Sequence, residues 1–540
     1  MRGAKAHMTF PPRITPSTSG RPPGAPQTRS RLLRLCAVLL PVLLAGGLVR
    51  TAAPPERAAG RLAAPNPIVR ENQLPGGREW QPLGLQNAPV DRLFADEASI
   101  LGQADVEVWE RTPIDGYADR VSVEPGGTIQ LYVSTTVPRY DLLVHRMGWY
   151  DGEGARQVHE AYALSGREQP APPPDPDTGM VVASWELSYS LPIPQDWTSG
   201  VYLVRLVANN DVHDIGYIVF VVRDDTQAAD FVYQLPLNTY QAYNNWGGKS
   251  LYDHSSPGGR ANKVSFDRPY AKWNGAGRLF DWDLPMVRWL EREGYNVTYI
   301  TDVDAHTGTG YLPGRRALLV AGHSEYWSRE MRDRWEAARD AGTSLAFFSA
   351  NSAYWQVRYE PSADGQPNRV LVCYKDAALD PLMGVDNSRV TVQWRNAIVG
   401  RPENALLGIM WDGQMPPFND YPYIVKQANH WIFEGTGAEP GQAWSRIVGY
   451  EYDRAQDNGL TPRDLVVLSE SPVRDREGRT SVSHSSYYRQ GGMVFTAGTI
   501  DWSWGLDDSR MAGQVHPGIQ RVTANVLNAF RDGTPPGSAS

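Results

Sequence analysis

Cysteine is almost missing from this chain: 540 residues hold two, Cys36 and Cys373. Cys36 falls in a segment expected to be removed, so a processed chain has no partner for a disulfide. No Cys-x-x-Cys occurs, which excludes a thiolate zinc site of that kind. Cys373 is expected to be a small buried hydrophobe. Nucleotide-binding loops are lacking too, with no Gly-Lys-Ser/Thr run and no Gly-x-Gly-x-x-Gly behind an apolar strand. There is no His-Glu-x-x-His. Gly342-Thr343-Ser344-Leu345-Ala346 approaches a nucleophile elbow, but its Ser opens an apolar strand instead of sitting on a strand-to-helix turn. Where cysteine hydrolases on such sheets carry their nucleophile, this chain has Gly322-His323-Ser324, and that excludes the Cys mechanism.

Basic charge is scarce where nucleic acid would need it. The net charge is −8, yet residues 1–55 carry eight basic residues and no acidic one, leaving 44 basic against 60 acidic in the rest. An acidic body has no basic stripe to neutralise phosphates, so nucleic acid is not a partner. Aromatics, by contrast, are plentiful. The 18 Trp and 26 Tyr favour aromatic-lined clefts or carbohydrate-facing surfaces over a plain helical bundle.

Long apolar runs are also short in supply. Leu35 to Val49, broken by Pro41 and Gly46-Gly47, follows a basic segment and precedes Thr51-Ala52-Ala53. That order describes a secretory signal peptide over residues 1–53, with a mature terminus near residues 46–54. The run is below the ~20 residues of a membrane span, which leaves an uncleaved anchor as the lesser alternative. Residues 54–92 read as a Pro/Gly/Ala-rich linker. Residues 93–225 then alternate with period two: Ile129, Leu131 and Val133 on one face, followed by strand-like runs at Leu142–Arg146, Val181–Tyr189, Val201–Val207 and Tyr217–Val222. Short, regularly spaced strands without helices predict an immunoglobulin-like β-sandwich.

After Asp224-Asp225 the pattern becomes strand–helix alternation. Strands are expected at Phe231–Leu235, Val297–Thr301, Ala317–Ala321, Ser344–Phe348 and Met493–Ala497, and helices at Leu284–Glu293, Met331–Ala341 and Gln520–Phe530. This predicts an α/β domain over residues 231–532, flavodoxin-like or glutamine-amidotransferase-like, with a mostly parallel sheet covered on both faces. Residues 380–490 read as insertions over the sheet edge, and 533–540 as a disordered tail.

Within that domain, Leu318 to Ser328 organises the rest. An apolar strand runs into Gly322-His323-Ser324-Glu325-Tyr326-Trp327-Ser328, and Ser328 caps the next helix. His323 and Glu325 are two residues apart at the strand's end, so extended backbone aims them the same way. Open α/β sheets gather functional side chains at that carboxyl edge. Two other turns follow strands there: Asn238 to Gly248, containing Tyr243, and Ser349 to Trp355, containing Asn351. Singly, each has a plainer reading as a capping carboxylate, a packed aromatic or a turn former. Jointly they place Tyr243, His323, Glu325 and Asn351 in one cleft.

The runs Tyr-Gln-Ala-Tyr-Asn-Asn-Trp-Gly-Gly, Gly-His-Ser-Glu-Tyr-Trp-Ser and Phe-Phe-Ser-Ala-Asn-Ser-Ala-Tyr-Trp resemble the catalytic region of the N,N-dimethylformamidase large (beta) subunit family. The likeness runs from about Ile100 to Phe530. It implies one iron ion, Fe(III), per chain, held by two tyrosinates and a glutamate, and hydrolysis of a formamide-type C–N bond. Carried over by residue, Glu325 matches the glutamate ligand and Tyr243 one tyrosinate. The second tyrosinate is either Tyr202, by spacing, or Tyr270, by lying in the α/β domain. His323, Asn351 and Lys375 match further pocket residues. Phenolate and carboxylate are hard donors that suit Fe(III), with positions left open for water and a small-molecule substrate. His323 is then expected to shuttle protons and Asn351 to donate to a developing oxyanion. The sequence names neither the oligomeric state nor a partner chain, and leaves a homo-oligomer and a small partner subunit open. The contrasting expectation is an exported carbohydrate- or cell-wall-binding protein without catalysis, presenting Asp501-Trp502-Ser503-Trp504-Gly505 to sugars.

Overall fold

The computed structural model describes residues 65–81, 109–310, 314–416, 419–510 and 513–535. The expected signal peptide and most of the expected tail lie outside them. Part of the expected linker does not. Residues 65–81 carry a short helix, α1 (Pro67–Glu71), with Asn66 accepting a hydrogen bond from the backbone of Val69 as its cap. Ile68 and Trp80 are buried in the same core as the rest of the chain. Two apolar anchors suffice to dock a segment whose Pro and Gly content suggests a free linker.

Eight strands follow: β1 (Ile114–Ala118), β2 (Ser122–Val123), β3 (Thr128–Thr135), β4 (Arg139–Met147), β5 (Ala155–Ser165), β6 (Tyr189–Pro192), β7 (Gly200–Ala208) and β8 (Ile215–Val222). They form a three-stranded sheet, β1-β3-β6, and a five-stranded one, β2-β8-β7-β4-β5. Alternate residues from both, among them Ile129, Leu131, Leu142, Val204 and Phe220, meet in one core, as period-two strands require. The expected strand at Val181–Tyr189 is not formed. Residues 181–188 are irregular, and the ladder begins only at Tyr189. Trp185 takes over the anchoring there, its ring packed on Tyr117 and Trp246.

The second half supplies β9 (Phe231–Leu235), α2 (Leu237–Tyr243), β10 (Lys263–Ser265), α3 (Leu284–Arg292), β11 (Val297–Thr301) and α4 (Asp302–Thr307). After these come β12 (Ala317–Gly322), β13 (Tyr326–Ser328), α5 (Arg329–Asp340), β14 (Ser344–Ser349), β15 (Trp355–Glu360) and β16 (Val370–Val372). Then follow α6 (Asn404–Leu407), β17 (Met410–Gln414), β18 (Tyr423–Ile424), β19 (Ala443–Trp444), β20 (Glu451–Arg454), β21 (Val466–Arg474), β22 (Thr480–Gln490), β23 (Gly492–Thr496) and α7 (Pro517–Asp532). The main sheet has the order β11-β9-β12-β14-β23-β22-β21. Its members pair in parallel from β11 to β23, and β22 and β21 add an antiparallel edge.

Both faces of this sheet are covered. Tyr233, Leu319, Ala346 and Phe495 face α3 and α7, while Val232, Val320, Phe347 and Val494 face α5 and α6. Continuous apolar runs are what such two-sided burial selects. The segment 380–490, expected only to overlie the sheet edge, also extends the sheet itself through β21 and β22.

The sandwich strands and the α/β strands share a contiguous core through Leu203, Tyr217, Val219 and Trp80. At that junction Glu291, from α3, takes both guanidinium nitrogens of Arg146, from β4, at 2.9 Å each. Tyr299 and Asn72 donate to the same carboxylate at 2.9 and 2.7 Å. Among the described residues no helix is long and apolar enough to cross a membrane.

Candidate functional site

Gly322 ends β12 with φ +61, and a Cβ built there would lie 2.3 Å from Trp282 Cβ. Only glycine lets the strand leave the sheet against that indole. The chain then turns through His323, Ser324 and Glu325 before β13. Ser328 caps α5, its side chain accepting from the Met331 backbone, as the sequence indicates. The Glu325 backbone N–H donates to Thr239 Oγ1 of α2 at 3.0 Å, which fixes the turn against the element that carries Tyr243.

Two phenols converge on Glu325. Tyr243 donates to its Oε2 at 2.9 Å, and Tyr252 lies 3.0 Å from both carboxylate oxygens. The rings stack at 4.3 Å between centroids. Tyr326 donates to the Tyr252 hydroxyl at 2.6 Å. Burial, and then the charge of Glu325, push both phenols well above their usual range. Without a cation they are therefore protonated donors; a cation among these oxygens would reverse the electrostatic part of that shift.

The second tyrosine beside Glu325 is Tyr252, which corrects the expectation from sequence: neither Tyr202 nor Tyr270 contacts that carboxylate. Tyr202 lies in the sandwich core, stacked on Trp197, and its hydroxyl donates to the Thr198 carbonyl at 2.7 Å. It ties a strand entry to its own preceding loop, as tyrosines opening late sandwich strands do. Tyr270 packs edge-on against Tyr240. A signal for Tyr252 is present in the sequence: it lies nine residues beyond Tyr243, in the loop that the Gly247-Gly248 turn folds back.

A second carboxylate completes the cleft. Glu451, at the start of β20, accepts from Asn351 Nδ2 at 2.9 Å and Gln414 Nε2 at 2.6 Å. It comes from the stretch whose periodicity is illegible in sequence. His323 Nε2 stands between the two acids, 3.2 Å from Glu325 Oε2 and 3.1 Å from Glu451 Oε2. One ring N–H cannot align with two acceptors, so these are ion-pair contacts without hydrogen-bond geometry, and Nδ1 has no partner among the described residues. Burial opposes a charge on His323, but Glu451 and then Glu325 outweigh it and raise the imidazole to about 9. Glu451 is lowered in turn, His323 overcoming the cost of burial.

Asn351 follows β14 in a left-handed conformation, φ +53, with its backbone N–H on Asp453 at 2.9 Å. Its amide nitrogen serves Glu451, so its role here is first to hold that acid, where sequence reasoning expects an oxyanion donor. Its Oδ1 is buried without a partner among the described residues. Lys375, also at positive φ, sets its ammonium 3.5 Å from the Tyr252 ring centroid. Burial lowers it to about 8. Arg278 lies 4.5 Å over the Tyr243 ring. The expected residues Tyr243, His323, Glu325, Asn351 and Lys375 are thus together.

Among the described residues no three His, Cys, Asp or Glu side chains are grouped to hold a metal. The sugar-facing stretch 501–505 is corrected: Trp502 and Trp504 are buried, Trp502 against Phe348 and Phe495, and present no aromatic face to a ligand.

Comparison with known proteins adds two findings. The family model described as "N,N-dimethylformamidase beta subunit-like, C-terminal" matches residues 141–516. The N,N-dimethylformamidase beta subunit of Alcaligenes sp is 22% identical over 428 residues, covering 64% of this chain and 54% of that protein. The chain thus spans about half the length of that relative.

Proposed function

This chain belongs to the N,N-dimethylformamidase beta subunit-like, C-terminal family, and from that premise we propose that it hydrolyses amide-type C–N bonds at a site built for one iron ion, Fe(III). The observation that carries the reading is the meeting of the Tyr243 and Tyr252 hydroxyls on the Glu325 carboxylate in a largely buried cleft. Such a cluster gains little from packing. Its cationic neighbours, Lys375 and Arg278, stand over the faces of the two phenol rings. Two phenols and a carboxylate are hard, anionic donors once deprotonated, and they fit a trivalent first-row ion. The unpartnered Nδ1 of His323 and Oδ1 of Asn351 mark the same cleft as prepared for something further.

Tyr243, Tyr252 and Glu325 would hold the ion, which when bound supplies Lewis acidity toward a carbonyl and toward water. The other groups act by themselves. His323, kept protonated between Glu325 and Glu451, carries a proton within reach of a departing amine. Glu451, oriented by Asn351 and Gln414, restores that proton or takes one from an attacking water. Lys375 sets positive charge against the Tyr252 ring and favours its phenolate form. Trp282, packed on His323 and on Tyr450, forms one wall of the site and restricts water there.

The apolar run Leu35–Val49 supports export of this enzyme, and a homo-oligomer or small partner subunit is consistent with a relative named as a beta subunit. Purified protein should contain about one iron per chain, show a visible phenolate-to-iron band, and release amine from N-alkylated formamides. Colourless, iron-free protein that releases no amine from any of them even after iron loading sinks the reading.

A further inference from the structure

The opposite edge of the main sheet holds a cavity of about 610 Å³, bounded by the starts of β12, β14 and β23 and the ends of α5 and α7. That volume lies in the range of small-molecule sites. Its apolar floor includes Leu318, Met493 and Phe530, and its remaining charged lining is four arginines: Arg315, Arg316, Arg334 and Arg489. Among the described residues no Asp or Glu lines it. In a chain whose acidic residues outnumber its basic ones, that contrast calls for an explanation.

Structural pairing does not provide one. Arg334 is anchored on the carbonyls of Ala305, His306 and Thr307. Arg316 and Arg489 are exposed and make no side-chain hydrogen bond or ion pair among the described residues. Arg315 is 7% exposed; one guanidinium nitrogen reaches the Ala229 carbonyl at 2.9 Å, and its Nε and Nη2 have no partner among the described residues. Asp224, Asp225 and Asp230 act on Arg315 from a distance, and none forms an ion pair with it. One feature opposes an anion: α5 and α7 both present carboxyl ends here. Each end is equivalent to about half a negative charge, so three guanidinium charges without a carboxylate partner outweigh the two.

We propose that this cavity binds a small organic anion, a carboxylate or phosphate monoester with a compact apolar body, head group toward Arg316 and Arg489 and body on the Leu318–Phe530 floor. Guanidinium forks suit both head groups. The site is separate from the catalytic cleft, because β12 runs from one to the other and its length puts them roughly 20 Å apart.

Titration calorimetry on the full chain tests this with phenyl phosphate and benzoate, using inorganic phosphate as a head group without a body and benzyl alcohol as a body without a charge. At least one organic anion should bind one-to-one, more tightly than either control and less tightly as salt rises. The double variant Arg316→Ser/Arg489→Ser should weaken it about tenfold or more, while Glu325→Ala leaves it unchanged. The tighter of the two anions identifies the head group. Failure of both to bind below about 1 mM, equal binding by the double variant, equal binding of benzyl alcohol, or loss of binding in Glu325→Ala would each overturn the proposal.

Discussion

Glu291 and Glu325 are both buried carboxylates, each receiving hydroxyl groups from tyrosine, and their surroundings differ in one respect. Glu291 is answered by a full positive charge: Arg146 binds it through two nitrogens, with Tyr299 and Asn72 completing the shell. The guanidinium is itself held by the carbonyls of Ser199 and Met147. Charge and hydrogen bonds close on themselves, and the pair joins the sandwich strands to the α/β strands. Glu325 has two phenols and an imidazole shared with a second acid. Its cluster has donors that can lose their protons, and Lys375 and Arg278 stand over its two phenol rings. A closed shell of this kind stabilises a junction; on the function proposed above, the open one is where the ion would bind.

The largest expected effect separates the two directly. Glu325→Ala should remove iron and amide hydrolysis together while the chain still folds, because the residue lies past the end of its strand. Glu291→Ala should do the reverse, lowering stability by about 3–5 kcal/mol, the usual cost of leaving one member of a buried pair alone, while folded protein keeps its iron. Denaturant unfolding and metal content on both variants decide it. If Glu325→Ala retains full iron and full activity, the contrast between the two clusters has no functional meaning.

Next in size is Glu451→Gln, which keeps the shape and removes the charge that holds His323 protonated. The turnover rate should fall by roughly 10²–10⁴, the usual weight of a positioned acid–base group, with iron content unchanged. Loss of iron instead would move Glu451 from proton transfer to metal retention.

How much of the fold and of the cleft is legible in the sequence depends on what each residue's neighbours are. Strands such as Phe231–Leu235 and Val297–Thr301 are legible to the residue because each is a short run of mostly apolar, β-branched and aromatic residues, which two-sided burial favours. The turn at His323 and Glu325 is legible because a strand end and a helix cap bracket it. Glu451 is not. It enters from a stretch of short strands and loops whose partners are far away in sequence, so no local period marks it. Tyr252 escapes for a related reason: a loop residue has no period to place it, and its neighbour in space, Glu325, is 73 residues away. Tyr202 misleads because spacing measured along the chain says nothing about which sheet a residue faces. Trp502 and Trp504 mislead because a Trp-rich turn looks alike whether it faces solvent or core. Arg146 and Glu291 are equally unreadable as a pair, being 145 residues apart.

Tyr252→Phe sharpens the comparison within the cleft. The ring remains stacked on Tyr243 and beneath Lys375, and only the oxygen is lost. Iron affinity should drop and the visible band shift or bleach, with stability nearly unchanged. Tyr270→Phe should leave both iron and colour as they are. An unaltered spectrum in Tyr252→Phe together with a bleached one in Tyr270→Phe would return the second ligand to the position that sequence favours.

The smallest effect belongs to Tyr202→Phe. Here the hydroxyl lost is a donor to the Thr198 carbonyl, and that carbonyl also receives a long contact from Arg146 Nε at 3.4 Å, so it is not left bare. The ring keeps its place between Trp197 and Phe220, and the buried apolar area does not change. What disappears is the net worth of one hydrogen bond, about 1 kcal/mol. Since Thr198 also donates to Glu71, a loosened loop would be felt first by the α1 segment and the Arg146–Glu291 junction. The variant should therefore lower the unfolding midpoint slightly and raise hydrogen exchange in residues 65–81, while iron content, colour and turnover match the parent. A change in any of those three would put Tyr202 back among the residues of the cleft.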